Sequence, residues 1–218
     1  ESAQRALNTQ FQTHDLQGFG CDNLELALGA AGCLLQYVKD TQRSNLPHIR
    51  SIQQENLEES VILDVATRRN LEIDLNMTGG HSNTLLSVMD SCATAMGSRL
   101  LRRWLQRPLT DIAILRKRHS AIADLCENDV YEPVRNALKP VGDMERILTR
   151  VALRSARPRD LTRMLSSLQA LPKVRAELSC LNAPLLCSLS TQTGDYPTMC
   201  DLLSSAIIEN PPVVIRDG

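Results

Sequence analysis

The chain has 218 residues, of which 43% are apolar and only 3% aromatic, and it carries a formal net charge of −1. This length allows one large domain, or one domain with part of another, and abundant leucine with sparse glycine favours helices around an aliphatic core. A chain so close to neutrality is not typical of a dedicated nucleic-acid module, which is usually strongly basic.

The first elements in chain order are two helices joined by a turn-rich connection. Helical patterns cover residues 2–11 and 24–40, and "HDLQGFGCDN" lies between them. The small residues at 29–32 indicate close packing of the second helix against a neighbour. Apolar residues recur at helical spacing along that helix and predict its buried face, namely Leu24, Leu28, Ala31, Leu35 and Val38.

The pattern then becomes extended. "LPHIRSI" and "SVILDV" predict two short strands or an irregular arm, so we expect a short extended or two-stranded segment near 49–63. Asp64 is placed to cap a short helix that follows. "NMTGGHSN" at 76–83 predicts a loop.

Everything beyond residue 83 has a helical pattern. Thr94 is expected to cap a helix over 95–107, and Asp111 one over 112–128, followed by a shorter helix over 130–141. In the first of these, arginines lie largely opposite an apolar face on which we expect Trp104 to be mostly buried. That face comprises Met96, Leu100, Leu101, Trp104 and Leu105.

Two further helices meet at Pro158, which suits a first helical position. The first is predicted over 144–156, and the chain should bend at Arg157 because a residue before proline resists helical geometry. Its predicted buried face is Met144, Ile147, Leu148 and Val151, and that of the second helix is Leu161, Met164, Leu165, Leu168 and Leu171. Helical stretches near 184–192 and 198–209 complete a mainly α fold.

No residues of the chain form a recognisable catalytic, cofactor or metal site. The sequence lacks a phosphate-binding loop, a G-x-G-x-x-G and a G-x-S-x-G, and its four histidines are far apart. We therefore expect no catalytic, cofactor-binding or metal-binding residue.

Seven cysteines without a C-x-x-C indicate scattered, reduced core residues in a cytoplasmic protein. No apolar run approaches the roughly 20 residues of a membrane span, so no membrane partner is expected. The chain starts without methionine and stops abruptly, which indicates a piece of a longer protein.

Charge is distributed unevenly along the chain. Residues 91–175 hold 17 Lys/Arg against 8 Asp/Glu, whereas residues 1–90 hold 6 against 12. Within the basic part, Arg146, Arg150 and Arg154 follow one another at a spacing of four and predict one helical stripe. Three roles stay open for this stripe: ion pairs with acids of the fold or of another domain, a solvated face, or phosphate contacts.

Several long segments resemble, in order, the MutS family of DNA mismatch-recognition proteins. They are "DLQGFGCDN", "AAGCLLQYVKDTQR", "HIRSI", "LDVATRRNLEI", "TAMGSRLLRRWLQRPLTD", "VGDMERILTRVALRSARPRDL" and "AIIENPPVVIRDG". The resemblance covers nearly the whole chain. In "TAMGSR" an alanine stands where the family pattern has proline before the methionine, which puts no functional residue in doubt.

The resemblance implies a domain layout. Residues 1–45 correspond to the end of the connector domain with its bridging helix, and residues 46–218 to the first part of the α-helical core, or lever, domain. It implies a multi-helix orthogonal bundle whose role is structural and allosteric, linking the ATPase to the DNA clamp and mismatch-binding domains.

The whole protein implied by this resemblance is a dimeric, DNA-dependent ATPase of DNA repair. It would use ATP and Mg²⁺ and bind mismatched duplex DNA, a MutL-type protein and a second MutS subunit. No residue of this chain matches the nucleotide site or the mismatch-reading residues, so we expect neither ATPase activity nor more than weak DNA binding. The alternative is an independent all-helical DNA-binding module that uses the arginine-rich helices 99–163.

Overall fold

The computed structural model of the chain describes residues 2–43, 45–54, 59–127, 129–208 and 211–212. These residues confirm the mainly α bundle. They form eleven α-helices and one 3₁₀ turn at Gln17–Phe19. The helices are α1 (Ser2–Phe11), α2 (Glu25–Gln42), α3 (Val65–Asn70), α4 (Leu85–Met89), α5 (Ala95–Gln106), α6 (Ile112–Glu127), α7 (Tyr131–Leu138), α8 (Met144–Ala152), α9 (Pro158–Leu178), α10 (Pro184–Gln192) and α11 (Pro197–Ala206).

The chain divides into two compact units. The first, here called the N-terminal unit, comprises Glu1–Asn56 and Leu148–Ala156, and the second, the helical unit, comprises Leu57–Ile147 and Arg157–Gly218. Within the described part of the chain, every helix is too short or too polar to cross a bilayer.

The N-terminal unit is built on the contact between α1 and α2. Leu28 and Leu35 of α2 are buried and the other residues of its predicted face are partly buried against the same core, which confirms that face. Gly32 lies so close to Ala3 of α1 that a side chain at this position would collide with it, whereas Gly29 faces open space. The prediction of close packing is therefore confirmed at Gly32 and wrong at Gly29.

Of the two forms predicted for the segment near 49–63, the described residues show the irregular, extended one and not a pair of strands. Ser60 forms an isolated antiparallel bridge with Leu109, in which the amide of Val61 donates to the carbonyl oxygen of Pro108 at 2.8 Å. The segment therefore pairs with the connection between α5 and α6 and not with residues 49–54. Residues 55–58 of the predicted segment lie outside the described residues.

The helical unit packs around α9, which contacts α7, α10 and α11, while α10 also contacts α6. Small and aliphatic side chains build this core: Ala121, Ala137, Val174, Leu178, Leu181, Ala183 and Leu186.

The chain bends directly before α9. Arg157 is extended, with φ −94° and ψ 159°, and Pro158 occupies the first turn of α9. The predicted bend is confirmed, and the Asp160 carboxylate accepts a hydrogen bond from the Arg157 amide at 3.0 Å.

The predicted helix caps are confirmed. The Asp64 carboxylate accepts from the Thr67 amide at 2.6 Å, the Thr94 hydroxyl from the Gly97 amide at 3.1 Å and the Asp111 carboxylate from the Ala113 amide at 2.7 Å. Each cap satisfies an amide that has no partner inside its helix. These bonds fix where α3, α5 and α6 begin.

Several predicted buried positions are exposed. Trp104 is 39% exposed, and its ring packs against the Arg118 guanidinium, whose central carbon lies 3.7 Å from the ring centroid. One face of the indole is therefore covered by a charged side chain and not by the apolar core. On α8 only Ile147 is buried, whereas Leu148 and Val151 are exposed.

The cysteines are not core residues as a group. All seven lie in the described residues and carry free thiols, but only Cys21 is buried and Cys200 is intermediate. The other five lie on the surface. The prediction that they form part of the core is therefore wrong for all except Cys21.

Candidate functional site: an arginine–carboxylate cluster between helices

The candidate site starts from the polar face of α5 in the helical unit. The Thr94 cap sets the start of this helix and so places Arg99 on its second turn. Leu101 and Leu105 are partly buried, while Arg102 and Arg103 are exposed. Arg99 is directed toward the residues at the start of α8, which lie more than 40 positions further along the chain.

Arg99 binds the Asp143 carboxylate in a bidentate manner. Nη1 donates to Oδ2 and Nη2 donates to Oδ1, each at 2.7 Å. Nη2 also donates to Oε2 of Glu145 at 2.5 Å. Paired, charge-assisted hydrogen bonds of this kind restrict both distance and orientation, so they hold α5 to the start of α8.

The cluster changes the titration of its members. Hydrogen bonding from Arg99 lowers the pKa of Asp143 below its ordinary value, against the opposing effect of burial, and the Arg146 amide adds to the lowering. The same bonds to Asp143 and Glu145 raise the pKa of Arg99. The Asp143 side chain is only 19% exposed, so it depends on these cations for compensation of its charge.

The loop that carries Asp143 is attached to α9. The Gly142 amide donates to Oγ of the buried Ser167 at 2.8 Å, and that hydroxyl donates to the Arg163 carbonyl oxygen at 2.6 Å. Gly142 has no room for a side chain, because a Cβ would meet Cγ of Arg163 at 2.5 Å. Asp143 is thereby held by α9 through the backbone and by α5 through its carboxylate.

A groove of about 320 Å³ lies beside the cluster and contains charges of both signs. Arg99, Arg102 and Arg146 line it together with Asp90. The Asp90 carboxylate accepts from the Cys92 amide at 3.2 Å and from the Ser98 hydroxyl at 2.9 Å, and these bonds lower its pKa. Because Asp90, Asp143 and Glu145 offset the arginines, this groove does not concentrate positive charge for a phosphate.

Of the three arginines proposed from the sequence, the structure brings Arg146 into the cluster. Its Nε lies 3.4 Å from Oδ2 of Asp143, and its side chain is 69% exposed. Arg150 lies in the last turn of α8, four residues later. Its carbonyl oxygen accepts from the Ser155 amide at 2.9 Å.

Arg154 does not continue the stripe, so the three-arginine helical stripe is wrong at this position. Arg154 lies beyond the end of α8 with φ 54°, in the left-handed region. Its amide donates to the Val151 carbonyl oxygen at 3.0 Å, while the Ser155 amide reaches back to Arg150. These two bonds form a Schellman ending, which terminates the helix at a position that glycine usually occupies.

The pairing of Arg99 with Asp143 could not be predicted from the sequence. Arg99 lies on the polar face of α5, and Asp143 directly precedes α8. The weak signal was an aspartate directly after a glycine, with two further charged residues, Glu145 and Arg146, close behind it. No local pattern links this cluster to α5.

Other cations of the basic segment also have partners within the protein. Arg118 lies over Trp104, and Nη2 of Arg175 lies 2.7 Å from Oδ2 of Asp195. Some of the cations of residues 91–175 are therefore engaged in contacts inside the fold.

The sequence contains no phosphate-binding loop. Among the residues that the structure describes, no three His, Cys, Asp or Glu side chains come together as a metal ion would require.

Comparison with known protein families gives two matches that follow one another along the chain. The model of MutS domain II matches residues 1–50, and the model of MutS domain III matches residues 66–218. The second match contains the whole of the arginine–carboxylate cluster.

Proposed function

Because the chain belongs to the MutS family of DNA mismatch repair, we propose that its helical unit is a structural and allosteric connector. It links a nucleotide-binding domain to the DNA-clamp and mismatch-binding domains of the longer protein that the sequence resembles. A conformational change in the nucleotide-binding domain then shifts the conformation of the DNA-binding domains through the packing of the helices, and the reverse also holds.

The observation that supports this role most directly is the bidentate pair between Arg99 and Asp143. It joins α5 to the start of α8, and the bond from Gly142 to Ser167 joins the same loop to α9. Coupling between distant sites needs rigid elements with discrete arrangements, and directional, charge-assisted contacts between helices supply them.

A second side-chain contact joins other elements of the helical unit. Oδ2 of Asp124 on α6 accepts from the amides of Asn182 and Ala183, each at 2.7 Å. These amides precede α10, so the carboxylate attaches the α9–α10 loop to α6. Side-chain contacts between helices thus recur along the unit.

The alternative function is an independent DNA-binding module that uses the arginine-rich helices 99–163. The net positive charge of residues 91–175 favours it. The pairing of Arg99 and Arg146 with carboxylates and the stacking of Arg118 on Trp104 favour the connector, because these cations already have partners.

We propose the remaining roles from the resemblance to the family. ATP and Mg²⁺ act in another domain, and this chain by itself has no ATPase activity. Mismatched duplex DNA, a MutL-type protein and a second MutS subunit are partners of the longer protein, which acts in the cytoplasm. This chain makes at most weak contact with DNA.

A salt-dependent titration with a mismatched duplex distinguishes the connector from the DNA-binding module. The connector predicts little binding near physiological salt, and no effect of Arg102→Gln. A DNA module predicts saturable binding whose affinity falls steeply with salt, with the slope reduced by about one for each phosphate-bound arginine that is removed. Tight binding that is lost in Arg102→Gln or Arg150→Gln would contradict the connector.

A further inference from the structure

A second groove of about 450 Å³ lies in the helical unit, away from the arginine–carboxylate cluster. The segment "LDVATRRNLEI" contributes Val65, Arg68 and Arg69 to its lining, and the loop before α4 contributes Leu75 and Met77. Its volume is in the range of sites that bind ligands in other proteins. The connector role does not account for this groove.

Local hydrogen bonds build the groove in advance. The Asp64 cap starts α3 and so places Arg68 and Arg69 in its last turn. On the other side, Oε1 of Glu72 accepts from the Met77 amide at 2.7 Å, and Oδ1 of Asn76 accepts from the Gly80 amide at 2.7 Å. Because these bonds hold both walls, an occupant would not have to order them on binding.

The apolar walls of the groove are open to solvent. Val65 is 85% exposed and Met77 is 55% exposed, and Leu75 of the same lining is 44% exposed. Single exposed apolar residues are ordinary, but several around one concave site are typical of a surface that another apolar group covers. Methionine in such a wall adapts to side chains of different shape.

The charged rim of the groove selects among possible occupants. Arg68 uses Nε to donate to the Leu63 carbonyl oxygen at 3.1 Å, and Arg69 has no side-chain partner among the described residues. The one acid of the lining is Asp74, whose Oδ2 already accepts from Nε2 of Gln106 at 2.7 Å. The rim therefore offers arginine donors to a carboxylate.

We propose that this groove is a docking site for a polypeptide segment in which an aliphatic side chain lies next to carboxylates. The aliphatic side chain packs between Val65 and Met77, and a carboxylate binds Arg69. A nucleic-acid backbone would match the arginines but would leave the apolar walls uncovered, so the combination favours an acidic, leucine-rich peptide.

The test uses the full 218-residue chain and a fluorescently labelled synthetic peptide of leucine and glutamate. Fluorescence anisotropy should show saturable binding, and a peptide with lysine in place of glutamate should not bind. Arg69→Gln should weaken the affinity about fivefold, which corresponds to the upper range for an exposed ion pair. Val65→Ser should also weaken it, and because Val65 is exposed this change leaves the fold intact.

The matched control is Arg159→Gln, which removes another exposed arginine of the same unit outside the groove and should leave the affinity unchanged. Equal binding of the lysine peptide, no binding of the glutamate peptide, or the same affinity in Arg69→Gln and Arg159→Gln would overturn the proposal. Displacement of the peptide by sulfate at equal concentration would also overturn it, since the groove would then be an anion site only.

Discussion

At the scale of single residues, Asp143 is the position on which most interactions of the candidate site converge. Its carboxylate receives both terminal nitrogens of Arg99 and lies close to Arg146, and its backbone follows the glycine that binds Ser167. The substitution Asp143→Asn replaces one carboxylate oxygen with an amide nitrogen, so it removes the negative charge and preserves the shape of the side chain.

Asp143→Asn should lower the free energy of unfolding by roughly 1–2 kcal/mol at pH 7, with the partial exposure of Arg99 limiting the loss. The pKa of Asp143 is lowered in the folded protein, so this stabilisation is complete above the ordinary aspartate value of about 3.9. It is lost as the pH falls through the lowered folded value. Urea unfolding of both proteins from pH 7 to pH 3 measures the difference.

Asp129→Asn is the control for that comparison, because Asp129 is an exposed aspartate outside the cluster. It should change stability by less than about 0.5 kcal/mol. If the deficit of Asp143→Asn stays constant down to the lowest pH, the charge of Asp143 is not what stabilises the fold.

Trp104 is the second informative residue, because it is the only tryptophan and it is partly exposed under Arg118. Trp104→Ala should cost roughly 1–2 kcal/mol, less than the 3–5 kcal/mol of a fully buried aromatic side chain. Arg118→Ala should increase quenching of the native fluorescence by acrylamide. If acrylamide quenches Trp104 as strongly in the folded protein as in the unfolded chain, Arg118 does not stack on Trp104 in solution.

At the scale of elements, the backbone at the end of α8 is in an unfavourable conformation that a substitution can relieve. Arg154 adopts a left-handed conformation, which costs a residue with a side chain roughly 1–2 kcal/mol, whereas glycine adopts it freely. Since glycine loses more entropy on folding, Arg154→Gly should raise stability by a net of about 0.5–1 kcal/mol.

Thermal or urea unfolding of Arg154→Gly measures this gain, and Arg154→Ala provides the comparison because it removes the charge but keeps a Cβ. If the glycine variant is no more stable than the alanine variant, the left-handed ending of α8 is not populated in solution.

The elements also show which parts of the fold follow from local sequence. Asp64, Thr94 and Asp111 each accept from an amide in the first turn, so the starts of their helices could be predicted from a single residue. Pro158 likewise marked the start of α9. The end of α8 could not be predicted, because an arginine in the left-handed position has no recognisable pattern.

At the scale of the whole molecule, what local sequence could not supply is the set of contacts between distant segments. Arg99 and Asp143 are far apart in the chain, and each has an ordinary local role that conceals the pair. Burial was predicted well on α2 and poorly on α5 and α8. Helical periodicity identifies an apolar face, but it does not show how much of that face a neighbour covers.

The proposed role of this helical unit is to connect nucleotide state to DNA state. The most direct measurement uses a longer MutS-family protein that carries these residues together with its ATPase and DNA-binding domains. The quantity measured is the ratio of the affinities for mismatched duplex with and without ATP. Asp143→Asn should reduce this ratio about threefold while leaving ATP affinity unchanged, and Asp129→Asn should leave it unaltered. An unaltered ratio in Asp143→Asn, in a protein that remains folded, would contradict the account.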